Sequence, residues 1–146
     1  MKQLLTAICL FALPMLASAQ IENPVKWSFT SKKINATTYE LHMTATIEGG
    51  WHLYAQEAGE GPVPTSFKFT KSPLVVTEGK VTEVGKLHKA FDKNFDSENQ
   101  VDFVQKVTVK GKAATKVKGS VEFMTCDDHE CLPPKSIDFA ISVGGK

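Results

Sequence analysis

The chain has 146 residues, 42% of them hydrophobic, and 17 basic side chains balance 16 acids to a formal charge of +1. All the basic residues are lysines spread among the acids, which excludes the basic stripe of an electrostatic nucleic-acid binder. The length suits one hydrophobic core, and no linker-like stretch divides it.

In chain order the first feature is an export signature. Lys2 supplies the positive start, Leu4 to Leu16 is almost wholly apolar, and Ala17-Ser18-Ala19 fits the small-x-small cleavage rule. Residues 1–19 therefore read as a cleavable signal peptide, with residues 20–146 as the mature domain. The apolar run is shorter than the roughly 18 residues that a membrane helix requires, and no later stretch approaches that length. A secreted, periplasmic protein that is not membrane-embedded is expected. Cys9 lies inside the apolar segment and leaves with it, whereas lipid attachment would need that cysteine after a complete apolar run.

The mature chain then repeats with a period of two. A short extended piece is predicted near Val25 to Phe29, followed by a strand in which Tyr39, Leu41, Met43, Ala45 and Ile47 alternate with polar or smaller neighbours. Further extended pieces are predicted at Phe67 and Phe69 and around Val81. Longer alternating runs follow at Val101, Phe103, Val107 and Val109, at Val117, Val121 and Phe123, and at Ile137, Phe139, Ile141 and Val143. Turns are predicted at Gly49-Gly50, Gly59 to Pro64, Glu78-Gly79 and Lys110-Gly111. No segment carries a helical stripe. The pattern predicts an all-β, antiparallel immunoglobulin-like β-sandwich of a single domain, with a barrel as the rival.

Chemistry concentrates in Cys126-Asp127-Asp128-His129-Glu130-Cys131, followed by Leu132-Pro133-Pro134. Cys126 follows the strand ending near Phe123 and Cys131 precedes the strand beginning near Ile137, so the two face each other across a hairpin or near-hairpin. Opposed antiparallel positions bring α-carbons to about 4.5–5.5 Å, within reach of a disulfide. Three readings stand at this point: a structural staple, a redox pair, and a metal site using Cys126, Cys131, His129 and a carboxylate. Closing so short a loop contributes only about 2 kcal/mol in the chain-entropy model, an inefficient staple for a domain with its own core. The spacing does not match a standard structural zinc site, and an oxidising compartment would pair the thiols first. No metal and no cofactor are therefore expected. The adjacent acids disfavour thiolate formation, so such a pair would exchange selectively, with a docked partner that excludes water and supplies a low-pKa leaving sulfur.

Several segments together resemble the N-terminal periplasmic domain of the thiol:disulfide interchange protein DsbD. They are Gly50-Trp51-His52-Leu53-Tyr54-Ala55-Gln56, Gly61-Pro62-Val63-Pro64-Thr65 with Phe67, Phe91-Asp92-Lys93-Asn94-Phe95, and the stretch from Cys126 through Cys131 to Pro134. The resemblance implies an immunoglobulin-like component of a protein-disulfide reductase system. It would take electrons from a membrane thiol reductase and pass them to oxidised periplasmic proteins. It further implies that Cys131 forms the intermolecular disulfide and Cys126 resolves it. A cap loop over Phe91 to Phe95, including Asp92, would place Phe91 or Phe95 above the sulfurs, and Tyr54, with Trp51, would belong to the aromatic wall beneath. The cysteines here are separated by four residues where the best-known members have five, and the segment between them is more acidic. The best-known members also continue into membrane helices and a thioredoxin-like domain. A monomer is therefore expected to work in trans with thioredoxin-like or membrane thiol reductase proteins. The alternative is a non-catalytic exported β-sandwich used for binding or assembly, with the disulfide fastening a hairpin.

Overall fold

The structure, a computed structural model, describes residues 23–89, 93–96 and 100–145. In chain order the first strands are β1 (Val25–Lys33), β2 (Thr38–Ile47), β3 (His52–Tyr54), β4 (Ser66–Phe69) and β5 (Val75–Val84). They are followed by β6 (His88–Lys89), β7 (Lys93–Asp96) and β8 (Gln100–Val109). The last are β9 (Thr115–Phe123), β10 (Thr125–Cys126) and β11 (Lys135–Val143).

Alternation in sequence becomes burial on one face. In β2, Tyr39, Leu41, Met43, Ala45 and Ile47 point into the core, and β8 does the same with Val101, Phe103, Val107 and Val109. These strands pair antiparallel from Thr38 opposite Thr108 to Thr46 opposite Gln100, and together with their neighbours they form a sheet ordered β1-β2-β8-β5. A second sheet, β11-β9-β4, covers it with Val117, Val121, Phe123, Phe139, Ile141 and Val143. An aromatic cluster fills the space between them, where Trp27 meets Phe67 edge-on at 6.0 Å and Phe123 at 5.4 Å. Two facing antiparallel sheets with alternating inner residues make the immunoglobulin-like sandwich. On one side the sheets also touch directly, where the Ser31 hydroxyl donates to the Ser142 carbonyl at 2.6 Å.

Two positions depart from simple alternation, and each has a local cause. Glu78-Gly79, expected as a turn, is a bulge within the ten-residue strand β5, whose register against β8 shifts between Glu78 and Thr82. Gly79 has a φ of 68°, a left-handed conformation that suits a bulge as well as a turn. Gln105 lies on the buried face of β8 at 2% exposure, and its amide donates to the Glu78 carbonyl at 2.9 Å and the Lys106 carbonyl at 2.8 Å. A polar residue in the core thus satisfies the carbonyl beside the bulge.

Close approach explains one glycine. A β-carbon on Gly119 of β9 would lie 2.4 Å from the Lys68 carbonyl oxygen and 2.6 Å from the Phe139 ring. The absent side chain lets Phe139 of β11 lean across β9, where it packs edge-on to Phe69 at 5.7 Å.

A small third sheet, β10-β3-β7-β6, packs Leu53 and Phe95 against the same core. After Phe123 the chain leaves β9 at Met124 and pairs with β3 instead, setting Thr125 opposite Leu53 and Cys126 opposite His52. That change of sheet places Cys126 in the small sheet.

Candidate functional site

The parity of β3 divides the residues of the small sheet between two faces. Leu53 is fully buried and opposes Thr125 on one side and Phe95 on the other, so these residues face the main core. His52 and Tyr54 take the opposite face, and Cys126 shares it. There Cys126, Tyr54 and Ala58 form a second buried cluster, with Met124 packed against it.

Cys126 and Cys131 are joined in a disulfide with their α-carbons 4.0 Å apart. They form an antiparallel bridge at the base of the hairpin. The backbone bonds flanking them run from the Leu132 amide to the Thr125 carbonyl and from the Asp127 amide to the Glu130 carbonyl, both at 2.9 Å. This makes the cysteines a non-hydrogen-bonded pair, the arrangement in which opposed side chains stand closest. Their surroundings differ: Cys126 is 2% exposed, whereas Cys131 is exposed on the rim.

Asp127 organises the four-residue tip. Its Oδ1 accepts from the Glu130 amide at 2.7 Å and from the His129 amide at 2.8 Å. These backbone donors, Glu130 first, hold its carboxyl below the ordinary aspartate value, and the neighbouring His129 adds to the effect. The carboxylate is thereby committed to turn geometry, while Asp128, His129 and Glu130 remain exposed around the rim cysteine.

The floor beneath the pair comes from the loop after β3. Thr65, 1% exposed, donates its hydroxyl to the Tyr54 carbonyl at 2.6 Å, and its amide bonds the Ala55 carbonyl at 3.3 Å. These bonds close the glycine-rich loop and bring Ala58 against Cys126. His52 Nε2 lies 3.1 Å from Tyr54 Oη, with the rings edge-on at 5.3 Å. Beside the hairpin runs an apolar groove of about 360 Å³ lined by Pro24, Phe123, Thr125, Leu132, Pro133 and Pro134.

Of the residues selected from sequence, the structure brings Cys126, Cys131 and Tyr54 together. Phe95 is placed elsewhere. It is 1% exposed in the main core and edge-on to Phe103 at 6.2 Å, on the opposite side of the small sheet from the sulfurs. Its pairing with the core residue Leu53 accounts for that orientation. Phe91 and Asp92, the rest of the expected cap, lie outside the described residues. Trp51 packs half-buried against the main core. Met124 and Ala58 pack with Cys126, and Thr65 ties down the loop that carries Ala58, without having been singled out from sequence. Met124 had a signal, since it stands two residues before Cys126 and so shares its face. Ala58 had none, because its contact depends on how the loop folds back. Among the described residues, no group of three or more His, Cys, Asp or Glu side chains is placed to hold a metal.

Also among the described residues, no helix is long and apolar enough to cross a membrane. No curated protein matches the chain. Among solved structures, it resembles the N-terminal periplasmic domain of ScsB from Proteus mirabilis, with a TM-score of 0.50 and 16% identity over 82% of this chain. It spans 44% of the length of that structure, so the likeness speaks for the fold alone. The yeast GGA1 GAE domain aligns over 82% of this chain and 92% of its own, at a TM-score of 0.47 and 6% identity. The model of the family described as thiol:disulfide interchange protein DsbD, N-terminal, matches residues 19–142, and the chain belongs to that family.

Proposed function

We propose that the mature domain, exported by a signal peptide at residues 1–19, relays electrons in the periplasm from a membrane thiol reductase to oxidised proteins through Cys126 and Cys131. Membership of a thiol:disulfide interchange family whose N-terminal domains are periplasmic supports this reading, as does a family match that starts at residue 19. The observation that carries it is the asymmetry of the pair, with Cys131 exposed on the rim and Cys126 buried behind it. An accessible sulfur can meet a partner's sulfur, and a protected neighbour can resolve the product.

The electrons balance as follows. A reductase thiolate attacks Cys131 Sγ, a mixed disulfide forms, and the Cys126–Cys131 bond breaks with its electron pair on Cys126. The reductase's second thiol then displaces Cys131, leaving both cysteines reduced and the reductase oxidised. In the onward step Cys131 attacks the acceptor's disulfide, and Cys126 displaces the reduced acceptor and restores the original bond. The groove beside Leu132, Pro133 and Pro134 offers apolar contact to a partner as it approaches Cys131. A cap role for Phe91 and Asp92, which lie outside the described residues, belongs to the same reading and rests on the family resemblance of the Phe91 to Phe95 segment.

Trapping tests the proposal. Cys126→Ala removes the resolving sulfur, so Cys131 should accumulate a mixed disulfide with a thioredoxin-fold partner, visible as an adduct that reductant dissolves. Absence of an adduct with every thioredoxin-fold partner tried would defeat the relay.

A further inference from the structure

Burial of Cys126 creates a chemical difficulty. Its sulfur belongs to a cluster with Tyr54, Ala58 and Met124, at 2% exposure. Apolar surroundings disfavour a thiolate, so this sulfur is a poor leaving group as a bare anion and a slow nucleophile as a thiol. Exchange through the pair calls for a proton partner at Cys126.

The small sheet places an imidazole there. His52 of β3 stands directly opposite Cys126 of β10. Directly opposed residues share a face, with β-carbons about 4.5–5.5 Å apart. Tyr54 occupies the same face, packs in the Cys126 cluster, and holds His52 Nε2 at 3.1 Å from its hydroxyl. Across the hairpin from Cys126 stands Cys131, and the backbone register sets Asp96 of β7 opposite His52. Imidazole is the side chain whose ordinary titration falls near neutrality, where a buried thiol on its own would stay protonated.

We propose that His52, positioned by the Tyr54 hydroxyl, gives and takes the proton of Cys126 during exchange; the assignment rests on the reading of Cys126 as the resolving sulfur. When a thiolate attacks Cys131, the disulfide breaks with its electron pair on Cys126. The His52 imidazolium passes its proton to that sulfur, leaving a thiol and a neutral imidazole. In the reverse direction the neutral imidazole takes the proton as Cys126 attacks the mixed disulfide and the partner leaves as a thiolate.

Reaction of the reduced protein with dithionitrobenzoate reads this step. The first thionitrobenzoate released marks the mixed disulfide at Cys131, and the second marks its displacement by Cys126. In the unmodified protein the rate of the second release should show an inflection as the imidazole titrates. His52→Phe should slow that release about tenfold or more at neutral pH and remove the inflection. The gap should close at alkaline pH, where the thiol ionises unaided. His52→Gln keeps a hydrogen-bonding group beside Tyr54 without a titrating one, and it must lose the inflection too. It also carries the test if circular dichroism shows that His52→Phe does not fold. An unchanged profile in the folded variants overturns the proposal, as does a second release that persists in Cys126→Ala. The probe is a small molecule, so this result is independent of partner trapping. A lost inflection without any protein adduct would sink the relay and keep His52 as the proton partner, and the opposite pair of outcomes would do the reverse.

Discussion

Cys126 lies laterally between His52 and Cys131, paired on each side, whereas Cys131, among the described residues, is bridged on the hairpin side alone and is exposed. Burial at 2% for one sulfur-bearing residue and exposure for the other follow from this order. The hairpin therefore presents one sulfur to a partner and withholds the other until the bond opens. Single-cysteine variants should report the difference. Cys126→Ala leaves a rim thiol, and Cys131→Ala leaves a buried one. Iodoacetamide should alkylate the rim thiol about tenfold faster or more in native protein, because reactivity follows exposure and thiolate character. In denaturant the two rates should converge. Equal native rates would contradict the asymmetry.

The tip responds to acid through Asp127. Its folded pKa is depressed by the Glu130 and His129 amides, so its contribution to the hairpin is fully present above the unfolded value of 3.8 and is lost as pH falls through the lower folded value. Acidification below about pH 4 should therefore speed hydrogen exchange at the His129 and Glu130 amides before the sandwich opens. Asp127→Ala should produce the same faster exchange at neutral pH, whereas Asp127→Asn, which keeps a side-chain acceptor, should largely preserve protection. Identical protection in the alanine variant would show that the turn holds without this carboxylate.

Gln105 offers a stability test remote from the sulfurs. Replacing it with leucine keeps the volume apolar but removes the donor to the Glu78 and Lys106 carbonyls. A buried acceptor left without a partner costs about 1–3 kcal/mol, so Gln105→Leu should lower the unfolding free energy by that amount, read from denaturant titration. Unchanged stability would mean that the bulge carbonyl finds water or another donor.

These residues also show what a sequence discloses. The long strands β2, β8, β9 and β11 were readable because each buries one face and so writes a period of two. Gln105 interrupts that period in β8, since its reason lies on another strand, at the β5 bulge. Glu78-Gly79 looked like a turn because the local requirement, a left-handed glycine, is common to turns and bulges. Only pairing with β8 on both sides of it separates the two cases. The proximity of Cys126 and Cys131 followed from the strands around them. The two-residue strand β10 did not, because its place is set by register with Leu53 and His52 instead of any periodicity of its own. Phe95 sits in a polar stretch and was a candidate for the cap, yet one pairing with Leu53 turns it into the core.

Gly119 tests the packing that supports this sandwich. A β-carbon there would meet backbone as well as the Phe139 ring, so neither neighbour can withdraw cheaply. Gly119→Val should destabilise the domain by several times the roughly 1–3 kcal/mol of ordinary overpacking, or prevent folding, whereas Ser120→Val on the adjacent position should be tolerated. Comparable denaturation midpoints for the two variants would show that Phe139 does not depend on the gap.

The disulfide's reduction potential decides between exchange and fastening. The bond closes a short hairpin, so it adds only about 2 kcal/mol through chain entropy and should yield to a competing dithiol. Equilibration with glutathione or dithiothreitol, followed by acid quenching and alkylation, should place the pair between about −180 and −270 mV, the span of thioredoxin-like carriers. A structural bridge would resist reduction to below about −300 mV. In that event substitution of either cysteine should change stability alone, and a binding or assembly sandwich becomes the better reading. Loosening the tip with Asp127→Ala sharpens the measurement. Freed from the turn, the two thiols meet less often, so the potential should rise relative to the unmodified protein. An unchanged potential would mean that the β10 pairing, and not the turn, holds the sulfurs together.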